Sequence, residues 1–111
     1  MIMPKKNIEI EGASVECALD AICGKWKGVI IYNLLKFEVL RFGELQKNLN
    51  NKITQRMLTI QLRDLEEQGI LSRNIYPTIP PKVEYFLTEK GKTLAVIIQN
   101  LNDWGSTYYK S

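Results

Sequence analysis

Between Ile53 and Gly91 the spacing of apolar residues changes twice, and that change restricts the fold more than any other feature of the chain. Through Leu58, Leu62 and Leu65 apolar positions recur every three to four residues, the period of an amphipathic helix. After Gly69 the spacing falls to two. Leu71 and Ile75 alternate with Ser72 and Asn74, and Val83, Tyr85 and Leu87 alternate with Glu84 and Phe86, as half-buried strands do. Six residues, Pro77 to Lys82, join the two strands. Their three prolines fix backbone angles and donate no ladder hydrogen bonds, so a stiff tip projecting beyond the sheet is expected. Helical spacing returns after Thr88, an N-cap candidate, through Leu94, Ile97, Ile98, Leu101 and Trp104.

The segment upstream supplies a partner for the first of these helices. Phe42, Leu45 and Leu49 place three apolar groups on one side of a short helix, preceded at Leu40-Arg41-Phe42 by a minimal strand or an extended entry. Asn50-Asn51-Lys52 then turns the chain, because asparagine tolerates left-handed geometry and bonds its own backbone. Thr54 caps the longer helix, which stops before Gly69. Nearer the start, Ser14 is a plausible cap for a helix with Val15, Leu19 and Ile22 as its stripe, broken at Gly24. A second helix begins at about Lys25 with Trp26, Val29, Ile30, Leu34 and Phe37 on one face and Ile31 and Leu35 on another, a pattern expected to be buried on most sides. Residues 1–13 read as a flexible N-terminal arm and 14–111 as one domain. Two helices across a three-to-four-residue turn, followed by a hairpin, make the expected fold mainly α with a small β-hairpin wing: a winged helix-turn-helix.

Length fits one core, since 111 residues cannot support two. A net charge of +3 and pI near 8.9 favour an anionic partner but decide little alone. The absence of histidine is more informative, because it removes histidine-based triads and imidazole metal sites. Cys17 and Cys23 are too few for a cysteine-only zinc site. If both lie on one helix, they stand roughly 9 Å apart along its axis, beyond disulfide reach, so reduced thiols are expected. No acidic pair sits around a recognisable nucleophile, and no glycine-rich phosphate loop appears; neither an enzyme nor a cofactor is expected. The first residues lack an apolar run of signal-peptide length, and Val29 to Tyr32 and Leu94 to Ile98 are too short to span a bilayer. The expectation is a cytoplasmic protein with no membrane partner.

On a wheel of about 100° per residue, Leu58, Leu62 and Leu65 share one side of their helix while Arg56, Thr59, Ile60 and Arg63 lie broadly opposite. These types suit a DNA groove: arginine pairs bidentately with guanine, threonine bonds or meets a thymine methyl, and isoleucine packs on that methyl. Thr54 and Gln55, at the amino end, are placed to meet phosphate or adenine. Lys47 and Lys52 flank the turn as backbone clamps, and Arg73 and Lys82 on the hairpin are candidates for phosphate or a narrow minor groove. The bland alternatives are a solvated helix face and hairpin charges that prevent edge pairing. Exposed Ile60 and the hairpin that follows favour double-stranded DNA. Glu66 and Glu67 oppose the helix dipole and repel phosphate, so the amino-terminal half is expected to do the reading. A different-class alternative is a winged-helix module whose same face meets a protein. RNA is disfavoured by the lack of an exposed aromatic platform.

Cys17 lies about 200° from Val15 on the wheel, off the first helix's stripe. With Ser14 as cap it takes the third helical position, where free N–H groups favour a reactive thiolate. The other reading packs it against a partner subunit as a small apolar group. Cys23, nearer the stripe, reads as structural.

Several stretches together resemble the HxlR-type family of bacterial winged helix-turn-helix transcription regulators: VECALDAICGKWKGVIIYNLL, LRFGELQKNLNNKITQRMLTIQLRDLEEQGILSR and YPTIPPKVEYFLTEKG. The resemblance spans Val15 to Trp104 and is most specific at Gly24-Lys25-Trp26, at Arg41 to Leu45 and at Pro80 to Tyr85 with Leu87-Thr88. It implies a homodimer built from the terminal helices that offers two recognition helices to an inverted-repeat operator. It also implies a redox or electrophile sensor at Cys17, whose counterpart serves so in some members; Cys23 inherits no role. Independently, Val15, Leu19, Ile97, Ile98, Leu101 and Trp104 exceed what a small winged core needs and read as a dimer interface, the alternative being that the last helix completes the monomer core. Paired recognition helices then meet successive major grooves about 34 Å apart.

Overall fold

The computed structural model describes residues 11–109. In chain order they form α1 (Ala13–Ile22), α2 (Lys27–Phe37), β1 (Val39–Arg41), α3 (Phe42–Asn48), α4 (Gln55–Glu67), β2 (Leu71–Tyr76), β3 (Lys82–Leu87), α5 (Glu89–Lys92) and α6 (Ala95–Tyr108). The three strands make one antiparallel sheet in the order β1-β3-β2, so Tyr85 at its centre pairs with Leu40 on one side and Arg73 on the other.

Local chemistry sets the helix ends around the turn. The backbone N–H of Arg41 donates to Glu44 Oε1 at 2.8 Å and starts α3. That helix closes on Asn50 and Asn51, both left-handed (φ 58° and 55°). Their N–H groups return to the carbonyls of Lys47 and Gln46, each at 2.9 Å, the double bond of a Schellman end. Gln46 Nε2 donates to the Ile53 carbonyl at 3.0 Å and ties the turn to the helix before it. α4 begins where Thr54 Oγ1 accepts from Met57 N at 3.0 Å. It ends with Gly69 at φ 74°, the same Schellman pattern running to Glu66 and Leu65.

The core gathers Ile30, Ile31 and Leu34 of α2, Leu45 of α3, Leu58, Leu62 and Leu65 of α4, then Ile53, Ile70, Leu71, Tyr85, Leu87 and Ile98. No polar or charged side chain is buried among the described residues. α5 is fastened to the end of α4. Thr88 N donates to the Ile70 carbonyl at 3.0 Å, the Thr88 hydroxyl donates to the Gly69 carbonyl, and Lys90 Nζ donates to the Gln68 carbonyl at 2.8 Å. Thr88 Oγ1 in turn accepts from Gly91 N at 3.0 Å. The approach is close enough that a Cβ on Gly91 would lie 2.0 Å from the Ile70 carbonyl oxygen.

Several expectations are corrected. α1 starts at Ala13 with left-handed Gly12 (φ 89°) as its N-cap, so Ser14 is inside the helix. The expected flexible arm therefore overlaps the helix by one residue, and its first ten positions lie outside the described residues. α2 begins at Lys27, and its buried sector is rotated from the expected one: Ile31 is enclosed while Val29 and Phe37 are exposed. Lys82 belongs to β3, paired with Tyr76, so the loop is 77–81. Ile75 is 60% exposed because the hairpin runs past the edge of the core. The final helix is split at Thr93 and Leu94, and Thr88 caps its first short piece, α5.

Candidate nucleic-acid interface

α4 turns Leu58, Leu62 and Leu65 inward and leaves Thr54, Gln55, Arg56, Ile60 and Arg63 exposed, with Thr59 half-buried. Each polar group on this face has a definite state. Thr54 Oγ1 already accepts the cap bond, and Thr59 Oγ1 donates to the Gln55 carbonyl at 2.8 Å, which leaves its oxygen only as an acceptor. Lys47 lies in the last turn of α3, Lys52 in the turn, and Arg56 and Arg63 on α4; all four are exposed and lack an ion-pair partner among the described residues. Asp64, on the same helix, is neutralised by Lys27 of α2 at 3.7 Å. The outward side of the helix-turn-helix therefore carries four cations without a carboxylate partner among the described residues, on α3, in the turn and at both ends of the outer row of α4.

The hairpin differs. Arg73 Nε lies 3.4 Å from Glu66 Oε2, bridging β2 to the last turn of α4. Glu66, expected to stand apart and repel phosphate, is thus an ion-pair partner. Lys82 Nζ lies 3.5 Å from Glu84 Oε2 and 4.7 Å over the ring of Tyr76. The Tyr76 hydroxyl donates to Glu84 Oε1 at 2.9 Å, and that bond, with the carboxylate's charge, holds the hydroxyl above the usual tyrosine range. Both hairpin cations named from the sequence are therefore already matched by carboxylates. The Lys82–Glu84 pair was open to inspection as an i, i+2 relation on one strand face; the Arg73–Glu66 pair was not, since it crosses elements.

Cys17 is half-buried and is the fifth residue of α1, past the free N–H groups of the first turn, so the helix-end setting inferred from a Ser14 cap is absent. Cys23 is exposed at the C-cap of α1 rather than structural, because the stripe it neighbours faces away from the core except at Ile22. Val15, Leu19, Ile97, Leu101 and Trp104 are exposed, together with Val96, Tyr108 and Tyr109. The Trp104 ring packs at a tilt against those of Tyr108 and Tyr109, with centroids 5.1 Å and 5.8 Å away. Ile98 departs from this set: at 4% exposure it packs in the monomer core and has no surface to offer a partner. Among the described residues no three Cys, Asp or Glu side chains converge as a metal site, and no helix is long and apolar enough to cross a membrane.

A turn-linked helix pair whose second helix projects cations, followed at once by a hairpin, defines a winged helix-turn-helix protein. More narrowly, the chain belongs to the HxlR-like helix-turn-helix family, whose sequence profile matches residues 21–111. It is similar to the HTH-type transcriptional regulator YdeP of Bacillus subtilis (strain 168), with 52% identity over 90% of this chain and 77% of that protein. Among solved structures it resembles the redox regulator HypR in its oxidised form, with TM-score 0.81 and 46% identity over 88% of this chain and 99% of the other. The reduced form of the transcriptional regulator YodB from B. subtilis superposes with TM-score 0.73 and 34% identity over 86% and 91% of the two chains. The chain is a transcription regulator of the helix-turn-helix type rather than an enzyme, and the partner its family implies is DNA.

Proposed function

We propose that two copies of the chain pair through α1 and α6 and present their α4 helices to successive major grooves of an inverted-repeat operator, with Cys17 as a thiol input. The observation that carries the DNA part is the outer row on α4, where Arg56 and Arg63 have no ion-pair partner among the described residues and stand with exposed Gln55 and Ile60 and half-buried Thr59. Lys47 and Lys52 hold the backbone on either side of the turn. Arg73 and Lys82 are shared with carboxylates and contribute less to phosphate neutralisation than their charge suggests. Pairing is supported by Val15, Leu19, Ile97, Leu101 and Trp104, an exposed apolar set larger than scattered surface residues explain.

The thiol input is supported by the relatives: HypR is described as a redox regulator and was solved oxidised, and YodB was solved reduced. In the electrophile case the Cys17 thiolate adds to an electron-poor alkene, one C–S bond forms, and the carbanion takes a proton from water. With a hydroperoxide the thiol becomes a sulfenic acid while the peroxide is reduced to an alcohol or water. Cys23 is a poor intrachain disulfide partner, because it caps the far end of α1, six residues on and about 9 Å along the axis from Cys17.

Selection from random duplexes tests the reading. One sequence is enriched, and its affinity falls steeply with salt. Arg56→Ala relaxes one base preference and costs about 1–3 kcal/mol, while Lys52→Ala weakens all duplexes alike. Enrichment of no sequence at any salt removes the regulator reading, and equal losses on selected and random duplex demote Arg56 to a backbone contact. For the thiol, a Cys23→Ser protein treated with a hydroperoxide or maleimide changes its affinity for the selected duplex. Unchanged affinity after complete modification of Cys17 removes that part alone.

A further inference from the structure

We infer that the wing contacts DNA through an apolar wedge, Ile79, inserted into the minor groove beside the major groove that α4 occupies. This rests on the reading of the chain as a sequence-specific DNA-binding protein and adds a mechanism for one part of it.

Ile79 is 101% exposed at the tip of the β2–β3 loop, so none of the described residues covers its side chain. A single exposed isoleucine is ordinary on a protein surface. Its setting is not ordinary. Prolines 77, 80 and 81 flank it and restrict the backbone on both sides. Thr78 adds two braces, its N–H to the Tyr76 carbonyl and its hydroxyl to the Pro80 carbonyl, each at 2.8 Å. Below the tip, the Tyr76 hydroxyl and Lys82 both engage Glu84, locking the last rung of the hairpin. The tip is therefore presented in one shape, and little ordering entropy remains to be lost on contact.

Charge distinguishes this wing from one that reads through cations. Ile75 to Pro81 contain no charged residue, and the nearest cations on either side, Arg73 and Lys82, are held by Glu66 and Glu84. A narrow-groove arginine contact needs a free guanidinium on a reaching side chain, and this hairpin offers an isoleucine there. Apolar wedges of that kind partly unstack a base step in the minor groove. The unstacking is least costly at pyrimidine–purine steps.

Reach and alignment are also supplied. From buried Leu71 to Tyr76, five residue steps at about 3.3 Å carry the strand roughly 17 Å outward. The Arg73–Glu66 bridge fixes the base of the hairpin to the end of α4, so seating α4 in one groove sets where Ile79 arrives.

The test uses the same random-duplex selection, run with wild type, Ile79→Ser, Arg73→Ala and Lys82→Ala. Wild type enriches a TA or CA/TG step flanking each half-site. Ile79→Ser enriches the same half-sites without that step, and binds step-containing duplexes about fivefold or more weakly while matching wild type on duplexes with a G·C flank. 2-Aminopurine placed at the step brightens on binding wild type and stays dark with Ile79→Ser. An unchanged flank preference in Ile79→Ser overturns the inference. So does loss of that preference in Lys82→Ala or Arg73→Ala but not Ile79→Ser, which assigns the contact to a cation. Half-sites enriched with random flanks sink the wedge and leave the regulator intact, whereas no enriched half-site sinks both. Because Ile79 is fully exposed among the described residues, the substituted protein melts like wild type, and that melt separates lost contact from lost fold.

Discussion

Replacing Gly91 by alanine tests how α5 is joined to the end of α4. In an ordinary exposed helix this exchange stabilises, since alanine is the better helix former by about 0.5–1 kcal/mol. Here the added Cβ would sit 2.0 Å from the Ile70 carbonyl oxygen and 3.2 Å from Leu87 Cδ2. Ordinary contact begins at 3.4 Å, so the Ile70 backbone must retreat by more than an ångström. That carbonyl accepts from Thr88 N at 3.0 Å and cannot retreat so far without losing the bond. Overpacking costs about 1–3 kcal/mol, and one or two weakened hydrogen bonds add about 1 kcal/mol each. A loss of about 3 kcal/mol follows, which at about 4 °C per kcal/mol lowers the melting temperature by about 12 °C. Thermal and urea unfolding at fixed protein concentration measure it, with the urea midpoint falling and the slope unchanged. Gly43→Ala is the internal control: exposed on α3, with nothing within 4 Å of its Cβ, it gains up to about 1 kcal/mol. A Gly91→Ala protein as stable as wild type would refute the steric account of this junction.

Three further outcomes follow from the same geometry. Glu66→Ala releases Arg73 from its 3.4 Å pair, so affinity for random duplex rises and the salt slope steepens by about one ion; an unchanged slope shows that Arg73 does not reach phosphate. Tyr76 donates to Glu84, and its raised ionisation means the clasp is intact below the ordinary tyrosine value and is lost as pH rises through the folded one. The tyrosinate absorbance difference between wild type and Tyr76→Phe locates that titration; Glu84→Gln brings it down, and a titration at the ordinary value in wild type contradicts the bond. Trp104→Asp puts a charge in the exposed apolar set of α6, so sedimentation velocity shows one copy where wild type shows two, while an unchanged mass moves the interface elsewhere.

The sequence disclosed the parts whose causes are local. Asn50 and Asn51 in left-handed geometry, the Thr54 cap and the Gly69 stop are each decided within a few residues, and each stands where its chemistry requires. The inward Leu58, Leu62 and Leu65 followed from period alone. Errors arose where a periodic face had two possible destinations. On α1, Val15 and Leu19 face outward, as their reading as interface residues requires, while Ile22 turns in; the error there is Cys23, read as structural and found in solvent. Ile98 belongs to a run that serves both sides of α6, and spacing does not separate its inward member from exposed Ile97 and Leu101. Strand alternation likewise fixes which face Ile75 shares with Val83, though not where along the hairpin the core ends. The state of the wing cations depended on contacts across elements, which no local pattern contains.

The bonds between Gln68, Gly69 and Ile70 and the start of α5 give the molecule a short lever. α5 leads directly into α6, so the segment proposed to meet a second copy begins at the spot where the recognition helix ends. α4 has 13 residues and extends about 20 Å from that pivot. A rotation of about 10° about the pivot displaces its far end by about 3.5 Å, close to the ~3.4 Å rise from one base to the next along a DNA strand. The far end is the amino-terminal half that carries Gln55, Arg56 and Thr59. If two copies pair through α6 as proposed, a change of about 10° in how they lean on each other moves the far end of α4 by about one base step.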